Sequence, residues 1–352
     1  MKRYRVAGLM SGTSLDGVDI ACCNFQEENG HWEYAIVRAE TIPYPAEWKA
    51  RLQHLPQGSA LELAQTNAAY GRYLGKLVQG FLAQYNLEVD LVASHGHTIF
   101  HQPAHGFTCQ IGDGAAIAAE CHIPVIADFR SLDVALGGQG APLVPLGDQL
   151  LFGAYDSCLN IGGFANISFE NEGRRLAYDI CPANIILNGL SEKLGHAYDH
   201  DGLLAASGHT DESLLQQLNQ IAYYRLPPPK SLGREWVEQT ILPLLNNADI
   251  SVCDALRTAT EHMAMQLARA IGDHPDKQVL MTGGGTFNTF MLQRLALLTR
   301  TSVVIPEALL VNFKEALVFA LLGVLRLRGE VNCLAAVTGA RENSCGGAIF
   351  RP

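Results

Sequence analysis

A turn rich in glycine and hydroxyl groups links two apolar runs in the stretch Leu9-Met10-Ser11-Gly12-Thr13-Ser14-Leu15-Asp16-Gly17-Val18-Asp19. Residues 6–10 lead into this turn as a predicted strand, and residues 18–25 leave it as another. The two glycines let the backbone approach a ligand closely, and the threonine and serine hydroxyls add donors for an oxyanion. The stretch therefore predicts either a phosphate-binding loop or a polar hairpin turn.

The composition restricts the class of protein. With 352 residues we expect two domains, because single cores stop growing at about 250 to 300 residues. A chain that is 48% hydrophobic and only 17% charged can fill sizeable cores. The balance of 25 Lys and Arg against 35 Asp and Glu gives a net charge of -10. This charge argues against a nucleic-acid surface and favours a small ligand.

The cysteines and the apolar segments bear on the compartment. Nine cysteines without a Cys-x-x-Cys pair indicate reduced, buried thiols rather than a disulfide framework or a zinc ribbon. This usage predicts a cytoplasmic protein. We also expect no signal peptide and no apolar run of about 18 residues that could span a membrane.

One plan occurs in both halves of the chain. In the first half, a predicted three-stranded meander is followed by helices and strands, at residues 4–11, 18–25, 32–41, 60–85, 90–94, 113–120 and 124–128. The second half repeats this order at residues 156–161, 165–170, 175–179, 183–194, 235–245, 253–271, 277–281, 287–298, 302–305 and 313–327. We expect a loop at residues 202–231. The pattern predicts an α/β protein with two domains, each a β-meander followed by αβαβα.

Seven blocks of the sequence resemble, in order, signature blocks of the 1,6-anhydro-N-acetylmuramic acid kinase family. The blocks are Gly12-Thr13-Ser14-Leu15-Asp16-Gly17-Val18-Asp19, Ser94-His95-Gly96-His97-Thr98, Ile111-Gly112-Asp113-Gly114, Ala127-Asp128-Phe129-Arg130, Gly137-Gly138-Gln139-Gly140-Ala141-Pro142-Leu143-Val144-Pro145, Asn160-Ile161-Gly162-Gly163 and Thr282-Gly283-Gly284-Gly285. The resemblance covers nearly the whole chain. It implies two actin-like (ribonuclease H-like) domains that face each other across a nucleotide cleft.

The resemblance also implies domain limits and an activity. We place the first domain at residues 1–130 plus about 336–352 and the second at residues 131–335. The implied enzyme is an ATP- and Mg²⁺-dependent kinase, which opens 1,6-anhydro-N-acetylmuramic acid with water and phosphorylates O6. The product, N-acetylmuramic acid 6-phosphate, belongs to peptidoglycan recycling. The eight residues of the first block would then bind ATP.

Opening the anhydro bridge requires a general base that activates water at the anomeric carbon. The resemblance implies Asp179 for this role. Asp179 ends the third predicted strand of the second half, which would deliver one carboxylate to a sheet edge just before a helix. An aspartate at this place can equally cap the helix beside Pro182. Asp16 and Asp19 are secondary candidates, because their place in the loop suits metal-bound water or nucleotide contacts.

Two departures from the family pattern lie near the expected sugar site. The family has Thr and Gly where Ile180 and Cys181 follow the proposed base, and it has Gln where this chain has His97. The loss of a hydroxyl and a glycine can alter the water site or the sugar pocket. The alternatives are therefore a related kinase with a different sugar, or an ATP-binding paralogue that acts as a conformational switch.

Four polar residues are candidates for contacts with the sugar. His95 and His97 can donate hydrogen bonds, although a His-x-His pair on one strand face is also typical of a zinc site. No later block completes such a site, and the metal ligands stay open. Arg130 can bind the lactyl carboxylate in a bidentate pair, or form an interdomain salt bridge instead. Glu315 matches an acidic family position that contacts the sugar, or is a solvated glutamate near a helix start.

The triglycine turn Gly283-Gly284-Gly285 lies between a predicted strand and a predicted helix. In the superfamily such a turn lies against the adenosine, because missing side chains let the nucleotide pack on the backbone. No Gly-x4-Gly-Lys-Ser/Thr motif occurs, which excludes a P-loop kinase. We expect a homodimer that binds a small-molecule sugar, with no nucleic-acid and no membrane partner.

Overall fold

The computed structural model describes residues 2–12 and 14–352, so Thr13 of the expected phosphate loop lies outside the described residues. The chain divides into two compact units: unit 1 comprises Met1–Leu151 with Phe313–Pro352, and unit 2 comprises Phe152–Asn312. Unit 1 is thus discontinuous. Its limits differ from the expected ones at 130/131 and 335/336.

The elements follow in chain order. Residues 1–151 form β1 (Arg3–Ser11), β2 (Gly17–Glu28), β3 (His31–Pro43), α1 (Ala46–His54), α2 (Ala60–Tyr85), β4 (Leu91–Gln102), β5 (Phe107–Ile111), α3 (Gly114–Cys121), β6 (Val125–Ala127), α4 (Ser131–Ala135) and α5 (Val144–Leu151). Residues 152–307 form β7 (Ser157–Ile161), β8 (Phe164–Asn171), β9 (Arg174–Pro182), α6 (Asn184–Glu192), α7 (Leu203–Ser207), α8 (Glu212–Gln220), α9 (Arg234–Trp236), α10 (Leu242–Asn247), α11 (Val252–Ile271), β10 (Gln278–Thr282), α12 (Thr289–Ala296) and β11 (Ser302–Val304). The remaining elements are α13 (Ala308–Arg328), α14 (Ala335–Thr338) and β12 (Ala348–Phe350).

Unit 1 contains a seven-stranded sheet in the order β12-β6-β4-β1-β2-β3, with β5 paired to β4. The pairs β1–β2 and β2–β3 are antiparallel, whereas β4 runs parallel to both β1 and β6. The helix α2 packs against this sheet through buried side chains such as Tyr70 and Leu74. It begins at a capping box, in which the Ser59 side chain accepts a hydrogen bond from the backbone N–H of Glu62, and the Glu62 carboxylate accepts one from the backbone N–H of Ser59. A meander extended by parallel strands is the predicted plan.

Two close helix contacts explain the limits of unit 1. A Cβ on Gly8 of β1 would lie 2.0 Å from the carbonyl oxygen of Ala316, so α13 packs directly on the first sheet. A Cβ on Gly147 of α5 would lie 2.6 Å from the side chain of Val318, so α5 packs on α13 in turn. Residues 131–151 and 313–335 therefore share the core of unit 1. Local patterns in the sequence could not reveal this packing, because it joins segments that are far apart in the chain.

Unit 2 contains a five-stranded sheet in the order β11-β10-β7-β8-β9. The meander β7–β8–β9 is antiparallel, and β10 runs parallel to β7 and β11. Buried side chains of α6, α8 and α11, among them Leu187, Leu218 and Leu256, form its core with the sheet. This repetition of one sheet plan confirms the predicted fold class of two similar α/β domains.

Three expectations about local structure are wrong. Residues 202–231 are not simply a loop, because they contain α7 and α8 and a 3₁₀ turn at Ala222–Arg225. The helix expected at residues 235–245 is divided into α9 and α10 by a π turn at Val237–Ile241. Pro243 lies in the first turn of α10 and has no N–H to continue a regular ladder.

The third correction concerns α13. Its 21 residues are long and apolar enough to span a membrane by length and composition, whereas we expected no such run. Within the fold, 78% of its apolar window is buried, and Leu317, Val318 and Leu321 are fully enclosed. The helix is therefore a core element of unit 1, and its apolar composition follows from burial on all sides.

Candidate active site

The two glycines of the turn between β1 and β2 differ in their surroundings. The N–H of Leu15 donates to the carbonyl oxygen of Gly12 at 3.3 Å, and Leu15 adopts a φ of 60°. Among the described residues, a Cβ on Gly12 would approach nothing closer than the Ser14 hydroxyl at 3.6 Å, whereas one on Gly17 would lie 2.3 Å from the carbonyl oxygen of Ile42. Gly17 therefore packs on the next strand, and the backbone around Gly12 stays accessible to a ligand.

A group of carboxylates lies beside this turn in unit 1. Asp19, which faces neighbouring Thr41, accepts the Thr41 hydroxyl at 2.6 Å through Oδ1. Burial and then repulsion from Asp16 raise the pKa of Asp19. Burial also raises the pKa of Glu315 against the attraction of Arg130, and the charge of Asp19 raises it further. Asp19 thus lies within electrostatic reach of Asp16 and Glu315, while Arg130 and Lys314 offset part of the negative charge at Glu315.

His97 lies in a buried chain of hydrogen bonds. Its Nδ1 lies 2.8 Å from the hydroxyl of Ser11, which lies 2.6 Å from the hydroxyl of Tyr44. The Tyr44 hydroxyl is hydrogen-bonded in turn to that of Tyr70. Burial lowers the pKa of His97 to about 4, so the imidazole is neutral at physiological pH. Sequence analysis missed the role of Ser11, although its place at the end of β1 next to the glycine turn was a signal.

His95 is bound to Arg130 rather than exposed beside His97. The Nδ1 of His95 donates to the carbonyl oxygen of Gly96 at 2.9 Å, which leaves Nε2 to accept Nε of Arg130 at 3.0 Å. Burial and the charge of Arg130 hold the pKa of His95 well below its ordinary value. Arg130 also donates from Nη1 to the carbonyl oxygen of Gly140 at 2.6 Å, and burial lowers its pKa to about 10. The Arg130 fork is thus partly engaged within unit 1.

The loop around Gly140, whose carbonyl oxygen accepts a hydrogen bond from Arg130, is fixed by a buried carboxylate. The Oδ2 of Asp133 accepts the N–H of Gly140 at 2.7 Å, and its Oδ1 accepts the hydroxyl of Thr338 at 2.7 Å. Asp133 is only 1% exposed. Sequence analysis missed Asp133, because its partner Thr338 lies 205 residues away in the chain.

The His-x-His arrangement does not form a metal site. Gly96 adopts a φ of 75° between the two histidines, so the regular alternation of a strand is broken. His95 and His97 consequently make separate contacts, with Arg130 and Ser11 respectively. Within residues 2–12 and 14–352, no group of three or more His, Cys, Asp or Glu side chains is arranged to hold a metal ion.

Asp179 does not end its strand, although the sequence predicted that it would. The strand β9 continues to Pro182, and Asp179 pairs with Asn166 while Cys181 pairs with Ala165. Ile180 is therefore the additional residue of a β-bulge, and a bulge changes the direction of neighbouring side chains. Asp179 is half-buried, whereas Ile180 and Cys181 are 4% and 0% exposed. The two residues that depart from the family pattern thus belong to the core of unit 2.

The contacts of Asp179 hold one of its two carboxylate oxygens. The backbone N–H of Leu232 donates to Oδ2 at 2.9 Å. Burial raises the pKa of Asp179, and this hydrogen bond opposes the increase. Asp179 forms no ion pair with a described Lys, Arg or His side chain. A partly desolvated carboxylate without a cationic partner has the properties of a general base.

The triglycine turn lies at the same edge of the sheet of unit 2. Thr282 pairs with Asn160, Asn160 with Asn166 and Asn166 with Asp179, so three strand spacings, about 14 Å, separate the two ends of this row. The three glycines differ in their surroundings. A Cβ on Gly285 would lie 2.2 Å from Cγ2 of Ile161, whereas one on Gly284 would meet nothing within 4 Å.

Comparisons with known proteins agree with these features. Residues 4–352 match the family model of AnmK, anhydro-N-acetylmuramic acid kinase. The anhydro-N-acetylmuramic acid kinase of Gloeobacter violaceus is 36% identical over 95% of both chains, and that of Shewanella amazonensis is 38% identical over 99% of both. Among solved structures, the activator of the 2-hydroxyisocaproyl-CoA dehydratase from Clostridium difficile with bound ADPNP is 14% identical. It aligns with a TM-score of 0.43 over 91% of this chain and 94% of its own.

Proposed function

Because the chain belongs to the anhydro-N-acetylmuramic acid kinase family, we propose that it opens 1,6-anhydro-N-acetylmuramic acid with water and phosphorylates O6 with ATP. The product is N-acetylmuramic acid 6-phosphate. The chain is a kinase of amino-sugar metabolism in cell-wall recycling.

The geometry of Asp179 is the observation that carries the proposal. Its half-buried carboxylate has a raised pKa, one oxygen held by a backbone N–H and no cationic partner within the described residues. Such a group takes a proton from water as the water attacks the anomeric carbon. The bond from C1 to the bridging oxygen then breaks, and that oxygen, which is O6, accepts the γ-phosphoryl group of ATP as the bond from this phosphorus to ADP breaks and ADP leaves. The proton on Asp179 passes to solvent when the products leave.

The nucleotide is assigned to two glycine-rich turns. In unit 1, the nucleotide phosphates would contact Gly12, Thr13, Ser14, Leu15, Asp16, Gly17, Val18 and Asp19. In unit 2, the adenosine would contact Gly283, Gly284 and Gly285. The accessible backbone at Gly12 and Gly284 supports this assignment. Mg²⁺ neutralises phosphate charge when bound and keeps several water ligands. The carboxylates of Asp16 and Asp19 fit such an ion, and these two residues would hold it.

The sugar is assigned to His95, His97, Arg130 and Glu315. The neutral imidazole of His97 and the remaining N–H groups of Arg130 are suitable partners for hydroxyl and carboxylate oxygens. We further propose that the protein is a cytoplasmic homodimer. Its reduced cysteines support the compartment, since all nine are free thiols.

A kinase for a different sugar is the second candidate, and His97 is the observation in its favour. The doubt raised by Ile180 and Cys181 is smaller, because both side chains lie in the core. His97 lies within 2.8 Å of Ser11, at the end of the strand that precedes the phosphate turn. A change from Gln to His there alters both the shape and the donors available to a ligand.

The test is a coupled assay of the two products. The protein is mixed with MgATP and 1,6-anhydro-N-acetylmuramic acid, and mass spectrometry follows a ring-opened sugar phosphate together with ADP. Incorporation of ¹⁸O from labelled water at C1 is expected. ATP binding without any product would favour the conformational switch, and turnover only with another sugar in a substrate panel would favour the second candidate.

A further inference from the structure

The backbone of Asp179 is attached to a distant segment of unit 2. The hydroxyl of Tyr223 donates to the carbonyl oxygen of Asp179 at 2.6 Å, and the N–H of Asp179 donates to the carbonyl oxygen of Lys230 at 3.1 Å. The N–H of Leu232 holds the side chain at 2.9 Å. Three contacts from residues 223–232 thus fix both the backbone and the carboxylate of Asp179.

Tyr223 and Lys230 also contact each other. The Nζ of Lys230 donates to the carbonyl oxygen of Tyr223 at 3.2 Å and lies 4.7 Å from the centre of the Tyr223 ring. It also lies 5.3 Å from the ring of Tyr178, and a cation above an aromatic face is attracted to it. The contacts close a ring, from Tyr223 to Asp179, from Asp179 to Lys230 and from Lys230 to Tyr223. Loss of one contact therefore loosens the others.

We propose that Tyr223 and Lys230 are positioning residues for Asp179. They hold the strand at the bulge so that the N–H of Leu232 binds Oδ2 and Oδ1 receives the proton from water. This proposal rests on the proposed function, in which Asp179 is the general base. No described residue donates a hydrogen bond to Oδ1, which agrees with this division of work between the two oxygens.

The surroundings of Asp179 determine the effect on its titration. The titratable groups around it are Tyr178, Cys181, Tyr223 and Lys230. Burial raises the pKa of the Cys181 thiol and of the Tyr223 phenol, so both stay neutral in the working range. The N–H of Leu232 is the group that lowers the pKa of Asp179 against burial. A looser segment weakens this hydrogen bond, and the pKa of Asp179 then rises.

The experiment compares two adjacent tyrosines. Tyr223→Phe removes the hydroxyl that binds Asp179, and we expect kcat to fall about tenfold, the equivalent of one lost hydrogen bond. The KM for the sugar stays within about twofold, and the acid limb of the kcat profile moves to higher pH. Tyr224→Phe is the matched control, because the Tyr224 hydroxyl is buried and meets no hydrogen-bonding group within the described residues. Its kcat and pH profile stay as in the unmodified protein.

Two variants of Lys230 test the same closed set of contacts among Tyr223, Asp179 and Lys230 independently, should Tyr223→Phe fold poorly. Lys230→Met removes the cation and we expect the same shift of the acid limb, whereas Lys230→Arg keeps a cation that stacks on the rings and restores most of kcat. A uniform loss of activity at every pH, or an unshifted limb in both Tyr223→Phe and Lys230→Met, would overturn the proposal. Asp179→Asn separates the two proposals, since full activity in that variant contradicts the base itself and not only its positioning.

Discussion

The candidate carboxylates of the two units differ in their surroundings. In unit 1, Asp19 and Glu315 are partly buried and repel each other, with Asp16 adding negative charge and Arg130 opposing it. In unit 2, Asp179 is half-buried beside the neutral side chains of Cys181 and Tyr223, and a backbone N–H holds one of its oxygens. Burial is the largest cause of the raised pKa of Asp19, Glu315 and Asp179, but only in unit 1 do neighbouring carboxylates add repulsion, which a bound cation relieves. This difference supports the proposed assignment of the metal-nucleotide to unit 1 and of proton transfer to unit 2.

Asp179→Asn gives the largest effect that this contrast predicts. Without the base, kcat falls by about 10²- to 10⁴-fold, the usual contribution of general base catalysis. Binding of MgATP, measured by calorimetry, stays unchanged because the charge near the turn of unit 1 is untouched. A variant that turns over normally would remove Asp179 from the mechanism.

Asp19→Asn tests the other side of the comparison. Loss of one charge weakens the attraction for a divalent cation, and we expect the KM for MgATP to rise about tenfold, or ~1.4 kcal/mol. Excess Mg²⁺ restores part of this loss. Thr41→Val is the control, because it removes the hydrogen bond to Asp19 and keeps the charge. Equal effects of the two variants on the Mg²⁺ dependence would contradict a metal role for Asp19.

The triglycine turn provides a comparison within unit 2. Gly285→Ala places a methyl group 2.2 Å from Ile161 and lowers the free energy of unfolding by about 1 to 3 kcal/mol. Gly284→Ala has open space and keeps the melting temperature. If the turn packs on the nucleotide, Gly284→Ala nevertheless weakens ATP binding. Unchanged affinity in this well-folded variant would place the adenosine elsewhere.

The smallest expected effect is a pH-dependent change in stability at Asp179. Burial raises the folded-state pKa of Asp179, so the folded protein binds more protons there than the unfolded chain. The resulting penalty is absent at acid pH and is complete once the pH exceeds the folded-state pKa. Asp179→Asn therefore raises the melting temperature at neutral pH, and calorimetry should show the gain disappear as the pH falls below the ordinary range of aspartate. A gain independent of pH would contradict desolvation as its cause.

Local patterns predicted most of the fold correctly. The helix α2 has the predicted bounds, because its apolar spacing and its capping box at Ser59 are local signals. The glycine turns lie between the expected elements for the same reason. The role of Asp179 stays a prediction from the family resemblance, and its bulge was not predicted, since the sequence carries no mark of the extra residue at Ile180. Tyr223 and Leu232 were missed because they reach Asp179 from 44 and 53 residues away.

The sequence by itself determined the family, the repeated sheet plan and the residue types available for chemistry, because periodicity, turn composition and ordered motifs are properties of neighbouring residues. The tertiary structure alone decided which carboxylates interact electrostatically, which histidines are hydrogen-bonded to other side chains and which groups hold Asp179. Those relations depend on contacts between residues far apart in the chain. Burial and hydrogen bonding, which set the pKa of a carboxyl group, arise only when such contacts form.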